Sequence, residues 1–189
     1  RGYTPPSSGT LKITQFGQNS ATDGLDLKAE KSWNIEAGLR VWRPGLTLEA
    51  SVFNIRIQNL VAAGRGTAFQ NLGSASNLGL ELGLASETSK FSYLLPDLNL
   101  SYTYLKTRVT KGITKSAVYA GNVSVNLKGN ELPYAPHHTL MVGLSKKFGR
   151  IQCRTDLHYI DKVYTDFENI ERTYNRGDTG LIQAHNIIN

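Results

Sequence analysis

The side chains able to do chemistry in this 189-residue chain form a few groups. Asp156, His158 and Asp161 set two carboxylates beside an imidazole, and on an extended strand Asp156 and His158 share a face. No nearby Ser stands out as their nucleophile, so acid–base or hydrolytic catalysis lacks its third member and no catalytic residue is expected. His137-His138 offers two metal ligands, but strand neighbours point to opposite faces, and no metal centre is expected either. Lys106, Arg108, Lys111, Lys115 and Lys128 lie in a stretch, 106–130, without Asp or Glu, which attracts anions at long range or is simply solvated. Arg65, Arg172 and Arg176 carry planar, bidentate donors suited to carboxylates. Arg1, Tyr3 and Tyr134 add groups that stack or hydrogen-bond, although the tyrosines fit an interfacial aromatic girdle equally well. The charge of +6 (21 Lys+Arg against 15 Asp+Glu) is not gathered on a helix with interleaved aromatics, which argues against a nucleic-acid partner. No Gly-rich phosphate loop opens a helix. The single Cys153 excludes an internal disulfide or a Cys-rich zinc site.

The elements that must position these residues show the period of two of a half-buried strand. In Ser32–Val41 the set Trp33, Ile35, Ala37, Leu39, Val41 alternates with Asn34, Glu36, Gly38, Arg40. Residues 78–85 set four leucines against Gly79, Glu81, Gly83 and Ala85. Leu98–Tyr104, Leu140–Ser145 and Ile151–Tyr159 repeat the scheme, the last with Cys153 on its apolar side. Leu46–Ile57 starts as cleanly but changes phase at Phe53, which predicts a bulge or a strand leaving the apolar layer. Gly180–Asn189 reads as a last strand. The total is about seven strands, most of about 9–12 residues, against ~5–6 in soluble sheets and ~9–11 in a membrane-crossing strand.

Connections alternate between short and long. Arg43-Pro44-Gly45, Glu87–Asp97 and Gly149-Arg150 are short; Gln58–Ala75, Lys106–Pro136 and Thr165–Thr179 are long. Outer-membrane barrels alternate in this way, and their leucine side meets lipid while the polar side lines the lumen. Glu36, Arg40, Glu81, Gln152, Arg154, Asp156 and His158 are then lumen-lining, and Trp33 is a girdle residue. The expected fold is all-β: an antiparallel transmembrane β-barrel segment, seen alone as an open curved sheet. Periodicity by itself leaves two other architectures open. A small self-closed outer-membrane barrel, structural or enzymatic, requires first-to-last strand pairing; a soluble β-sandwich binding module requires the Leu78–Leu84 face to be buried under a second sheet. No apolar run reaches the ~18–20 residues of a spanning helix. The polar start RGYTPPSSGT is no signal peptide, and the lone Met141 marks residue 1 as no translation start.

Three segments carry a resemblance. Leu27–Arg40, LKAEKSWNIEAGLR, closely resembles the "L-x-P/A-E-x-S-x-N-x-E-x-G-x-R/K" segment of TonB-dependent outer-membrane receptors, with Ala29 where many members have Pro. Asn71–Leu82 is similar to their "N-x-G-x-A-x-x-x-G-x-E" segment, and Gly129–Thr139 to "G-x-x-L-P-Y-A-P-x-H". They stand in family order, and Arg1–Pro6 is similar to the extracellular-side segment of ferric dicitrate-type members. The resemblance implies a barrel of ~22 strands closed by an N-terminal plug. Residues 1–189 would be a partial barrel domain, without the plug, the N-terminal box or the aromatic-ended last strand. It implies bacterial outer-membrane localisation, import of a ferric chelate (ferric dicitrate or a siderophore), and energy from a TonB-type transducing complex. Outer-membrane lipid and lipopolysaccharide are the surrounding partners. Iron travels only within the chelate, so no resident cofactor is expected. Arg1, Tyr3, Arg65, Lys106, Arg108, Lys111, Arg172 and Arg176 are the expected ligand-binding set.

Overall fold

A computed structural model describes residues 2–5, 27–63, 69–116, 123–172 and 179–189. The strands are β1 (Gly2–Thr4), β2 (Glu30–Arg43), β3 (Leu46–Ala63), β4 (Phe69–Ser86), β5 (Asp97–Lys115), β6 (Ser124–Asn126), β7 (His138–Phe148), β8 (Ile151–Ile160), β9 (Val163–Tyr164), β10 (Leu181–Ile182) and β11 (His185–Ile188). The main sheet runs β1-β2-β3-β4-β5-β7-β8-β11 with every neighbour antiparallel, and β6 pairs with the far end of β5. A separate β9–β10 ribbon completes the described strands. This is the all-β, antiparallel, open curved sheet that the alternation predicts.

Six long strands and the short β11 account for the expected seven, but they run longer than the periodicity suggests. At about 3.4 Å per residue, the 18 residues of β3 or β4 span about 60 Å. A lipid band of about 25 Å crossed at about 40° needs only about ten residues. The stretches 58–63, 69–75 and 106–115, expected as loop, are therefore strand continuing past the band. Gly, Asn and Ser in these stretches read as loop, yet antiparallel pairing holds them. Gly2–Thr4 adds a rung against Glu30–Ser32 that the polar start does not announce.

The phase change at Phe53 is not a bulge. The β2–β3 register runs unbroken from Lys31↔Gln58 to Arg43↔Leu46, so Phe53, Ile55 and Ile57 put apolar side chains on the polar face. The irregularity comes later, between Gln58 and Val61, where Asn59 takes φ 56°, a conformation Asn tolerates better than most residues.

Neither competing architecture survives. β1 and β11 do not pair, so the described residues do not close on themselves. Leu78 and Leu82 are exposed, with no second sheet over them. The sheet is one layer thick, and what core it has sits at the long-connection end. There Leu72, Val109 and Leu127 are buried together, packed by Ala62, Val125, Leu132 and Phe167.

Candidate functional site

Hydrogen-bonded rungs decide which side chains share a face. One rung passes from Arg40 through Glu49, Gly83, Ser101 and Met141 to His158. The next carries Gly38, Ser51, Glu81, Thr103 and Thr139, and Glu36 begins the one beyond with Phe53, Gly79 and Leu105. Asp156 pairs with Gly143, and Arg154 with Ser145. All seven residues expected to line the lumen, Glu36, Arg40, Glu81, Gln152, Arg154, Asp156 and His158, therefore stand on one face. The opposite face carries Ala37, Val52, Leu80 and Tyr104 on one rung and Leu39, Ala50, Leu82, Tyr102, Leu140 and Tyr159 on the next.

The polar face is concave, an open trough of about 600 Å³ lined by Glu36, Arg40, Glu49, Ser51, Glu81 and Thr103 among others. Arg40 Nε donates to Glu49 Oε1 at 2.7 Å, and Ser51 Oγ donates to Glu81 Oε2 at 3.4 Å. Three glutamates against one arginine leave this wall net acidic. Further along the sheet Arg154 clamps Asp156 in a bidentate pair, Nε to Oδ2 at 2.8 Å and the second guanidinium nitrogen to Oδ1 at 2.9 Å. The pair needs Gly143, because a Cβ there would stand 2.7 Å from Asp156 Oδ1. Phe53 similarly lays its ring over Gly79, where a Cβ would meet ring carbons at 2.1 to 2.6 Å. These contacts hold a wall in shape; none activates a nucleophile.

The two histidines are engaged separately. Tyr102 Oη and His138 Nδ1 lie 2.8 Å apart on the leucine face, while His137 Nε2 stands 3.1 Å from Glu131. Asp161 accepts from its neighbour Lys162 N at 2.8 Å and from Tyr159 at 3.5 Å. Among the described residues no three potential metal ligands cluster.

The motif residues clamp the wall together. Asn71 donates to the carbonyls of Lys28 (2.9 Å) and Asn59 (2.8 Å) and accepts from Lys28 N (2.8 Å), while Glu30 accepts from Val61 N at 2.6 Å. The start of the first segment is thus bolted to the irregular end of the β3–β4 hairpin. The third segment is bolted to the stretch after β9. Asn130 donates to Phe167 O at 2.9 Å, Glu131 N to Asn169 Oδ1 at 2.6 Å, and Leu132 N to Thr107 Oγ1 at 2.9 Å. Asn59, Asn71 and Asn169 escape a search for chemistry, because an amide side chain that ties backbone to backbone leaves no charge or period to find.

The expected ligand-binding residues are described only in part. Arg1, Arg65, Arg176 and the Lys115 side chain lie outside the described residues. Arg172 is exposed beyond β9. Lys106, Arg108 and Lys111 are not on a loop: they stand on β5 opposite Leu78, Ser76 and Ser74, on the leucine face rather than the trough face. Tyr3 pairs with Lys31 on that same outward face, where Trp33 and Arg56 also pair, while Trp42 lies on the trough side.

Long antiparallel strands that run past the lipid band, an apolar outer face and a charged concave face fit the wall of an outer-membrane barrel. The sequence profile of the family described as "TonB dependent receptor-like, beta-barrel" matches residues 1–181, and the chain belongs to that family. No curated protein sequence matches. Among solved structures, the unliganded ferric citrate transporter FecA is 20% identical with a TM-score of 0.65, matching 85% of this chain and 22% of its own. The siderophore receptor PiuA from Acinetobacter baumannii is 21% identical (TM-score 0.60; 85% and 21%). The ferric yersiniabactin uptake receptor FyuA from Yersinia pestis is 17% identical (TM-score 0.62; 85% and 22%). At such identities these structures share the fold, and the chain spans about a fifth of their length. The family comprises outer-membrane receptors and transporters, not enzymes.

Proposed function

We propose that these residues form wall and extracellular face of an energy-coupled receptor that binds a ferric chelate, ferric dicitrate or a siderophore, and imports it. The observation that carries the reading is the division of one sheet into a leucine face and a charged concave face, with long strands standing beyond the band. Iron is cargo inside the chelate and not a cofactor of this chain. A plug and a TonB-type complex supply closure and energy; residues 1–189, as a partial barrel domain, supply the passage and part of the capture surface. Arg172, together with Arg1, Arg65 and Arg176, offers guanidinium forks for a chelate's carboxylates.

Placement favours a second partner for the β5 cations. Lys31, Arg56, Lys106, Arg108 and Lys111 share the outward face, Lys106 on the Leu78 rung and the others beyond it, and none forms an ion pair with a described residue. Cations there face the outer leaflet, where lipopolysaccharide phosphates lie, while still contributing to the long-range field felt by an anionic chelate. The test is uptake of labelled ferric chelates by cells carrying the full-length receptor. Energy-dependent accumulation of a carboxylate chelate supports the reading; failure to accumulate any ferric chelate overturns it. Replacing Lys106, Arg108 and Lys111 by Gln is expected to reduce co-purifying lipopolysaccharide and to weaken chelate capture mainly at low salt. Unchanged lipopolysaccharide retention and chelate affinity across ionic strength would remove both roles.

A further inference from the structure

The connection between β4 and β5 does not look like a passive turn. It is tightly built: Glu87 N donates to Gly45 O at 2.8 Å, a 3-10 turn spans Thr88–Lys90, Ser92 N donates to Thr88 O at 2.9 Å, and Ser89 N donates to Asp97 Oδ1 at 3.0 Å. Yet it presents Leu94 at 83% exposure, Tyr93 at 72%, Phe91 at 70% and Leu95 at 51%. Four large apolar side chains held open by an ordered backbone are a surface awaiting an apolar partner.

Its direction identifies that partner. Lys146 belongs to the outward face of β7, paired with Cys153. Its ammonium donates to Leu95 O at 2.9 Å, also bonds Tyr93 O, and lies 5.0 Å from the Tyr93 ring centroid. The turn therefore folds toward the leucine face, not under the trough. Phe91 meanwhile packs over Gly45 in the neighbouring turn. Below Lys146 the outward face ends on the exposed apolar pair Phe148 and Ile151, flanking the Gly149 turn, so the exposed side chains continue a lipid-facing surface. Lys147 and Arg150 stand exposed nearby in sequence, cations suited to lipid phosphate.

We propose that residues 91–95 are an interfacial anchor, seated at the headgroup–acyl boundary of the periplasmic leaflet and binding phospholipid there. The inference rests on the membrane reading of the leucine face, and the experiment separates the two. In a Cys153→Ser background, the full-length receptor carries an environment-sensitive fluorophore at Leu94→Cys, Leu82→Cys or Arg150→Cys. It is reconstituted in phosphatidylethanolamine–phosphatidylglycerol vesicles with or without brominated acyl chains. The anchor predicts that brominated lipid cuts emission at both 82 and 94 by roughly two-fold, with iodide reaching 150 but not 94. Quenching at 82 with none at 94, where iodide quenches instead, overturns the anchor and leaves the turn in water or against a protein. No lipid quenching at 82 overturns the membrane reading itself.

Discussion

At the scale of the residue, this wall is held by small exceptions to its alternation. Gly79 is glycine because the Phe53 ring occupies the place of its Cβ. Gly79→Val should lower stability by about 1–3 kcal/mol through overpacking, and Phe53→Ala in the same chain should recover most of it. Heat- or urea-driven loss of the folded, slowly migrating form on cold gels reads this; equal loss in both variants would show that the ring contact is not the cause. Asn71 makes three hydrogen bonds to backbone of two other segments. Asn71→Ala should cost about 1–3 kcal/mol by removing three hydrogen bonds and leaving the partly buried Asn59 carbonyl unpaired, while Asn71→Asp keeps the acceptor and loses both donors. The same stability assay, with Ala no worse than wild type, would contradict the clamp. Neither residue was legible as a site from sequence. A motif marks that a position is constrained, but only the register shows that Asn71 meets Lys28 and Phe53 meets Gly79.

At the scale of the element, faces and strand order were legible and strand ends were not. Leu78, Leu80, Leu82 and Leu84 announce a period of two, and the rungs keep them on one face. Lys106–Lys115 carries no such announcement: its outward side is charged, and its other side is covered by the 124–132 stretch, with Thr107 as well as Val109 buried, so the apolar alternation of the lipid band is lost. The Lys106, Arg108 and Lys111 cations read as loop in the sequence but stand on strand β5, on its outward face. The faces make an unequal prediction. Leu82→Arg puts a charge on the lipid side near mid-band and should cost about 2–4 kcal/mol, whereas Ser101→Arg, on the trough side of the neighbouring strand, should be nearly neutral. Folding yield into vesicles measures both; equal penalties would contradict the assignment.

At the scale of the whole molecule, length and composition suit one ordinary domain, yet the described residues bury only a small cluster around Leu72, Val109 and Leu127. The stabilising surroundings of this sheet are lipid on one side and, on the other, whatever fills a closed barrel. Residues 1–189 expressed alone in water should therefore expose the leucine face and associate, while detergent micelles should keep them dispersed. Sedimentation shows which; a dispersed, cooperatively melting monomer in buffer would mean that the sheet needs neither partner.

That one face meets lipid and the other water is the claim on which all else depends. Single cysteines at position 78 and at positions 80 to 83 of the full-length receptor, with Cys153 replaced by Ser, test it in native outer membranes. A membrane-impermeant maleimide should label the Glu81 and Gly83 positions and leave the Leu78, Leu80 and Leu82 positions to a lipid-soluble reagent. Uniform labelling by the aqueous reagent, or the reversed alternation, would contradict it.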